Sequence, residues 1–197
     1  IPLELSSTSS PKTIGLNEVV LGQNYEMIIS TNTGLWRYRI GDTIQFTETA
    51  PYRFIISGRT KHFLNAFGEE LMIHNAEKAL KLACNGTDIE ILEFTAAPKH
   101  ISENLKAYHE WIIGFKQAPT DLNSFTYKFD NALKTVNSDY AAKRYKNMIL
   151  EMPKIHTAKK DLFFNWMKSK DKLGGQNKVP RLSNKRETLE ELLKLNS

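Results

Sequence analysis

A group of positive side chains near the end of the chain is the first feature that suggests chemistry. The stretch GGQNKVPRLSNKRETLEELL, residues 174–193, predicts an amphipathic helix with Asn184 as its N-cap and Glu187 completing a capping box. This would place Lys185 in the first helical turn, where the helix dipole disfavours a cation. A bound anion would supply the missing negative charge, and the alternative is a loop with ordinary surface cations.

Two further stretches place charged side chains beside glycine. GLWRYRIGDT (34–43) contains a Gly-Asp pair typical of a turn between strands. The carboxylate of Asp42 could equally accept hydrogen bonds from both ribose hydroxyls of a nucleotide. In SGRTKHFLNAFGEEL (57–71), Arg59 and Lys61 lie where the hydropathy pattern changes, and the alternative there is a basic connector.

Other residue types that often carry chemistry favour ordinary structural roles. SSTSSPKT (6–13) has the polar character of a phosphate-binding loop, but it lacks the glycine that lets a backbone approach phosphate, so we expect a linker. The five histidines show no close spacing typical of a metal site, so we predict no metal ligands. Cys84 falls on the apolar side of a predicted helix and is expected to be an inert core thiol.

Composition restricts the class of protein. The 197 residues are 41% hydrophobic and 25% charged, which is typical of a globular protein and excludes a disordered or fibrous one. No apolar run is long enough to span a membrane, and a single cysteine excludes an internal disulfide and suits a reducing cytoplasm. The net charge of +5 admits a nucleotide or nucleic acid. Because the first residue is Ile, we expect the chain to be part of a longer protein.

Hydropathy patterns predict an α+β fold that positions these residues. Residues 25–57 show period-two alternation in four short runs, which predicts an antiparallel β-meander with a turn at the Gly-Asp pair. The elements that follow have the order β-α-β-β-α-β, which predicts a small ferredoxin-like domain with extra helices. One of its helices carries an apolar stripe of Phe125, Phe129, Leu133 and Val136. We therefore predict two domains, 1–58 and 59–197.

These stretches together resemble the acyl-adenylate-forming superfamily. YRIGD looks like its ribose-binding segment, GRTKHFLNAFGEEL like its hinge segment, and PRLSNKRETLEEL like its terminal lysine segment. GLWRYRIGD, AYHEWIIGF, NSDYAAKRY and LGGQNKVPRLSNKR are closer still to the auxin-responsive acyl acid–amido synthetases of the Gretchen Hagen type, in their bacterial form. The resemblance covers essentially the whole chain and implies the C-terminal portion of such an enzyme: the last strands of a large adenylation domain, then a mobile C-terminal domain.

The resemblance implies a ligase that works in two half-reactions. An acyl acid and ATP, with Mg²⁺, give an acyl-adenylate, and an amino acid then displaces AMP to form an amide. Asp42 is expected to hold the ribose hydroxyls with Tyr38 nearby, and Arg59 to bind ribose or phosphate. Lys61 occupies the hinge position. Lys185 is the expected catalytic residue, whose ammonium stabilises the negative charge growing on the α-phosphate and the acyl carboxylate.

The sequence departs from the family pattern in two ways and leaves alternatives open. Asn65 stands where many superfamily members have lysine, so we assign it no role. The phosphate loop and acid pocket belong to an N-terminal domain outside this sequence, so we expect the chain alone to be inactive.

The alternatives are an acyl- or aryl-CoA ligase and a non-catalytic, basic RNA- or protein-binding module. The expected partners are a small acyl acid, an amino acid and the missing domain, in the cytoplasm, with no nucleic acid or membrane.

Overall fold

Two compact units make up the chain. The computed structural model describes residues 1–6, 10–60, 63–101, 106–147, 149–174 and 177–197. The units are Ile1–Lys61 and His62–Ser197. The sequence placed the boundary after residue 58, whereas the units divide after residue 61, so Arg59 belongs to the first unit.

The first unit is a small antiparallel sheet. Its strands, in spatial and sequence order, are β1 (Asn24–Ile29), β2 (Tyr38–Thr49) and β3 (Tyr52–Arg59). Short 3-10 turns precede the sheet at Leu3–Leu5 and Leu16–Glu18. Because successive side chains of a strand alternate between faces, Tyr25, Ile44 and Phe46 form one buried apolar cluster. The predicted antiparallel meander is confirmed.

The Gly-Asp pair does not form the predicted turn, because β2 runs through it as one continuous strand. Residues 40–42 of β2 lie opposite Met27 of β1 alone, so the extra residues form a β-bulge. Gly41 has φ +81°, a left-handed conformation that glycine adopts without steric cost. The four predicted strands are therefore three, and the glycine serves a bulge instead of a hairpin.

The second unit mixes strands and helices. Among its described residues, the strands are β4 (Phe63–Leu64), β5 (Leu71–Met72), β6 (Glu90–Ile101), β7 (Lys106–Gln117) and β8 (Lys154–Thr157). The α-helices are α1 (Ile73–Cys84), α2 (Leu122–Val136), α3 (Ser138–Lys143), α4 (Leu162–Ser169) and α5 (Glu187–Asn196). A 3-10 turn, Tyr145–Asn147, follows α3.

Strand β7 lies at the centre of the main sheet of the second unit. β6 pairs with it antiparallel, and β8 pairs with it parallel after the α2–α3 crossover. The order β-α-β-β-α-β and the α+β class are as predicted. The strand expected before α1 differs in one respect, because β4 pairs with β5 in a separate hairpin. The other edge of β6 is instead met by the segment at Leu182, which forms a bridge to Ala96.

Two apolar clusters lie on opposite faces of β7. Trp111 and Ile113 join the cluster formed with α1 and α2, while Ile112 joins the cluster formed with α4 and α5. All three side chains are fully buried. A strand covered on both faces has a continuous apolar run instead of an alternating one, which accounts for the WIIGF sequence.

The apolar stripe predicted on α2 is confirmed. Phe125, Phe129 and Leu133 are buried in the first cluster, and Val136 packs against it. The ring of Phe129 meets Trp111 edge-on, with ring centroids 4.9 Å apart. This contact joins the helix to the centre of the sheet.

We expect Leu133→Ala to lower the free energy of unfolding by about 2–5 kcal/mol, because the fully buried side chain leaves a cavity when truncated. Denaturant unfolding followed by far-UV circular dichroism measures this. Tyr127→Ala on the same helix is the matched control, since that ring is 63% exposed. Equal losses in the two variants would contradict the assignment of the core face.

Candidate functional site

Asp42 and Arg59 face each other across β2 and β3. They are direct cross-strand partners, and Arg59 Nε lies 3.1 Å from Asp42 Oδ1. Both side chains reach solvent, with exposed fractions of 27% for Asp42 and 65% for Arg59. An exposed ion pair contributes at most about 1 kcal/mol. A polar ligand could therefore take over either partner at little cost.

Tyr38 begins β2 two residues before the bulge that contains Asp42, and its side chain is exposed. Its cross-strand partner is Ile29, so it stands at the end of the β1–β2 pairing. The structure thus places Tyr38 and Asp42 on one strand and pairs only Asp42 with Arg59. Lys61, the predicted hinge residue, lies outside the described residues, and its role stays a prediction.

An ion pair between Arg39 and Glu26, which sequence reasoning missed, holds this part of β2. Arg39 Nε donates to Glu26 Oε1 at 2.8 Å, and Arg39 Nη2 also donates to the carbonyl oxygen of Ser6 at 2.8 Å. Burial opposes ionisation of Glu26, but hydrogen bonds from Arg39 and Ser6 outweigh it and lower the pKa of the carboxyl group. This pair, whose Glu26 carboxylate is buried while Arg39 is 43% exposed, fixes the strand immediately beside Tyr38.

The predicted capping box around Lys185 is wrong. Helix α5 begins at Glu187, and its N-cap is Arg186, whose side chain makes no capping hydrogen bond. Asn184 Oδ1 instead accepts a hydrogen bond at 2.8 Å from the backbone N–H of Asn65 in the β4–β5 turn. An Asn side chain can accept a hydrogen bond from any suitably placed backbone N–H. Here the tertiary structure places the N–H of Asn65, which is outside the helix, within reach of Asn184. Lys185 therefore precedes α5 and is exposed.

The segment before Lys185 is attached to the edge of β6 like a short added strand. The N–H of Ala96 donates to the carbonyl oxygen of Arg181 at 2.9 Å, and the N–H of Ser183 donates to the carbonyl oxygen of Ala96 at 3.1 Å. Thr95 Oγ1 donates to the carbonyl oxygen of Pro180 at 2.7 Å. These bonds fix the backbone up to two residues before Lys185.

The two arginines of this basic segment are neutralised within the protein. Arg181 contacts Glu77 and Glu93 at 2.6 and 2.8 Å. Arg186 Nη2 donates to Glu110 Oε2 at 2.7 Å. Lys185 differs, because its Nζ makes no hydrogen bond or ion pair with any residue that the structure describes. Its charge is available to a ligand.

In the Arg186–Glu110 ion pair, the carboxylate of Glu110 is the buried partner. Glu110 is 2% exposed and also accepts a hydrogen bond from His156 Nε2 at 2.9 Å. Burial opposes its ionisation, but the hydrogen bonds from His156 and Arg186 outweigh this effect, so the pKa of Glu110 lies below its usual value. The sequence contains these charged residues but does not show which of them pair.

Glu69 organises the turn between β4 and β5. Its carboxylate is fully buried and accepts hydrogen bonds from the N–H groups of Ala66 and Phe67 at 2.6 and 2.8 Å. His109 Nε2 lies 2.7 Å from Glu69 Oε1. Burial opposes ionisation of Glu69, yet these hydrogen bonds lower its pKa overall. In this part of the predicted hinge segment, the chain therefore forms a turn built around one carboxylate.

Among the described residues, no group of three or more His, Cys, Asp or Glu side chains is arranged to hold a metal ion. Within those same residues, no helix has the length and apolar character needed to cross a bilayer. Cys84 is half-buried, and burial raises the pKa of its thiol, which makes the reactive thiolate scarcer.

The α+β fold and these segments define a known class of domain. Residues 74–187 match the GH3 family C-terminal domain, and residues 1–59 match the GH3 family central domain. The chain therefore belongs to the GH3 family, as its motifs indicated.

Curated relatives of this family are plant amido synthetases. The chain is 33% identical over 91 residues to an Arabidopsis thaliana protein, indole-3-acetic acid-amido synthetase GH3.10, a match covering 43% of this chain and 15% of the relative. It is 28% identical over 141 residues to jasmonoyl–L-amino acid synthetase GH3.5 of Oryza sativa subsp. japonica, covering 66% of this chain and 23% of the relative. The chain therefore spans less than a third of the length of these relatives.

A solved structure shares the fold. The structure of GH3.15 acyl acid amido synthetase matches with a TM-score of 0.67 at 21% identity, over 93% of this chain and 34% of that one.

We expect Glu110→Gln to lower the free energy of unfolding at pH 7 by about 1–3 kcal/mol, because Arg186 and His156 lose a charged acceptor. The folded-state pKa of Glu110 is below the usual 4.5, so its stabilisation is present above that pH and is lost as pH falls through the lower value. The difference between the variant and the unaltered protein should therefore shrink on acidification. Urea unfolding from pH 7 to about pH 3 measures it.

Glu90→Gln is the matched control for this experiment, because Glu90 is exposed and pairs with Lys116 at the surface of the same sheet. Its effect should stay below about 0.5 kcal/mol at every pH. A Glu110→Gln difference that is constant across the pH range would contradict the assigned ion pair.

Proposed function

We propose that the protein to which this chain belongs is an ATP-dependent acyl acid–amido synthetase. Membership of the GH3 family and the activities named for the curated relatives support this proposal. They also argue against a non-catalytic RNA- or protein-binding module. One structural observation carries it: Lys185 is an exposed ammonium that finds no partner among the residues the structure describes, beside two arginines that are both neutralised.

In the proposed first half-reaction, an oxygen of the acyl carboxylate attacks the α-phosphorus of ATP. The bond from that phosphorus to the oxygen bridging the β-phosphate breaks, and pyrophosphate leaves. Lys185 would contact the α-phosphate and carboxylate oxygens, where negative charge accumulates in the transition state. Because no carboxylate of the described chain competes for this ammonium, its full charge would act on the substrate.

Asp42 and Arg59 are proposed to bind the nucleotide. The ribose hydroxyls would donate to the Asp42 carboxylate, and Arg59 would turn from Asp42 to the ribose or a phosphate, with Tyr38 beside them. The weak, exposed ion pair between the two is suited to such an exchange. Lys61 is kept as the proposed hinge. Mg²⁺ enters only as the ion that accompanies ATP, and no ligand for it is assigned among the described residues.

In the proposed second half-reaction, the amine nitrogen of an amino acid attacks the acyl carbon. The bond from that carbon to the phosphate oxygen of AMP breaks, AMP leaves, and the nitrogen loses a proton to give the amide. Both half-reactions need groups that residues 1–197 do not supply, so we expect this segment by itself to catalyse neither.

ATP–pyrophosphate exchange on the intact protein tests the function. The acids to offer are indole-3-acetic acid, jasmonic acid and 2,4-DB, which the names of the relatives and of a similar structure suggest. Mixed amino acids or coenzyme A are then added, and the product is identified by mass spectrometry. An amide supports the proposal. A coenzyme A thioester alone would make the protein an acyl-CoA ligase, and absence of exchange with all acids would oppose adenylation of this class.

We expect Lys185→Ala to lower the exchange rate by at least about 100-fold, because one charged contact to the transition state is lost. Lys178→Ala is the matched control, since that lysine is an exposed neighbour on the same segment. Unfolding curves of the two variants should match. Near-normal exchange by Lys185→Ala would refute the proposed role.

We expect Asp42→Asn to raise the KM for ATP about tenfold or more, because the ribose hydroxyls lose a charged acceptor. Steady-state exchange at varied ATP measures this. Glu48→Gln is the matched control, because Glu48 forms another exposed ion pair across the same two strands, with Arg53 at 3.3 Å. An unchanged KM for ATP in Asp42→Asn would remove Asp42 from the nucleotide site.

A further inference from the structure

The residues on both sides of Lys185 are held by side-chain contacts to different elements. Asn184 Oδ1 accepts from the N–H of Asn65, 119 residues away in sequence, at 2.8 Å. On the other side, Arg186 donates to Glu110 at 2.7 Å and to the carbonyl oxygen of Pro98 at 3.1 Å. Lys185 itself lies between these contacts with its side chain exposed.

The partner of Asn184 is itself fixed. Asn65 belongs to the turn of residues 65–68, whose backbone N–H groups bond to the buried carboxylate of Glu69 and, at Gly68, to Asn65 Oδ1. Glu69 is in turn held by His109 of β7. A continuous set of hydrogen bonds therefore runs from the central strand through the turn to the residue before Lys185.

The partner of Arg186 is equally fixed. Glu110 is the next residue of the same central strand, is almost fully buried and is also held by His156. The residues on either side of Lys185 are therefore both connected to β7, Asn184 through the β4–β5 turn and Arg186 through Glu110.

We propose that Asn184 and Arg186 are positioning residues that fix the backbone of Lys185 so that its ammonium meets the reacting phosphate and carboxylate. This inference rests on the proposed function of Lys185. A misplacement of about 1 Å can lower a rate about 100-fold. Because a lysine side chain has four flexible bonds, a fixed backbone reduces the number of positions that its ammonium can occupy. Asn65, which had no role from the sequence, becomes part of the support through its backbone N–H.

The test separates the two half-reactions in the intact protein, with whichever of indole-3-acetic acid, jasmonic acid or 2,4-DB supports exchange. We expect Asn184→Ala to lower kcat for ATP–pyrophosphate exchange about tenfold, with the KM for ATP changed less than about twofold. Amide formation from the supplied acyl-adenylate of the same acid should be unchanged, because Lys185 acts only in adenylation. A general loss of folded protein would lower both rates.

Four further variants complete the experiment, the last of them Arg186→Lys. Asn184→Ala added to Lys185→Ala should cause no additional loss, since Asn184 acts through Lys185. Asn65→Ala, which loosens the turn from its other side, should lower exchange in the same direction without affecting amide formation. Asn177→Ala is the matched control, because the side chain of this exposed Asn donates a long hydrogen bond of 3.4 Å to the carbonyl oxygen of Gly174 and makes no other hydrogen bond within the described part of the chain.

Arg186→Lys removes the paired contacts to Glu110 and Pro98 while keeping the charge, and it should also lower exchange selectively. The inference is overturned if Asn184→Ala and Arg186→Lys exchange normally, if both half-reactions fall equally, or if losses add in the Lys185→Ala background. If Asn184→Ala exchanges at the normal rate while Lys185→Ala does not exchange, the positioning role is refuted and the role of Lys185 is retained. Normal exchange by Lys185→Ala itself would refute the proposed function of that lysine and the inference with it.

Discussion

The second unit depends on the alternation of side chains at two adjacent residues of its central strand. His109 and Glu110 are neighbours on β7, so their side chains leave opposite faces of the sheet. His109 meets Glu69 and holds the β4–β5 turn, while Glu110 meets Arg186 and holds the start of α5. One strand therefore supports both the β4–β5 turn and the segment that contains Lys185.

Burial makes these contacts consequential. A carboxylate in the interior has lost its hydration and is stable only when its hydrogen bonds are supplied by the protein. Glu69 receives two backbone N–H groups and an imidazole, and Glu110 receives an arginine and an imidazole. Removing one partner would leave a buried charge without compensation, which is why such pairs specify a geometry as well as stabilise it. The exposed Asp42–Arg59 pair lacks this constraint, and that is the property a ligand-binding pair needs.

The first unit uses the same division between fixed and free charges. Arg39 lies just before the bulge of β2 and Asp42 lies within it, and Arg39 is held by the buried carboxylate of Glu26. This pair fixes the strand just before the bulge, and within the bulge Asp42 reaches its cross-strand partner Arg59 on β3. In both units, a neutralised arginine near the candidate residue sets the backbone, and the candidate side chain remains accessible.

The sequence by itself determined the features that depend on periodicity and local pattern. The period-two alternation of hydropathy predicted the antiparallel meander, and the spacing of Phe125, Phe129 and Leu133 predicted the buried face of α2. The order of the motifs indicated the family. These follow from which side chains avoid water, a property that each residue carries with it.

Only the tertiary structure decided which polar groups meet. Local rules assigned Asn184 to a helix cap and Gly41 to a turn, whereas Asn184 bonds a backbone group 119 residues away and Gly41 lies in a bulge. A hydrogen-bonding side chain accepts any well-placed partner, and the nearest one in space is set by the packing of distant strands. The pairing of Glu69 with His109 and of Glu110 with Arg186 has the same origin, since the sequence contains the charges but not the distances between them.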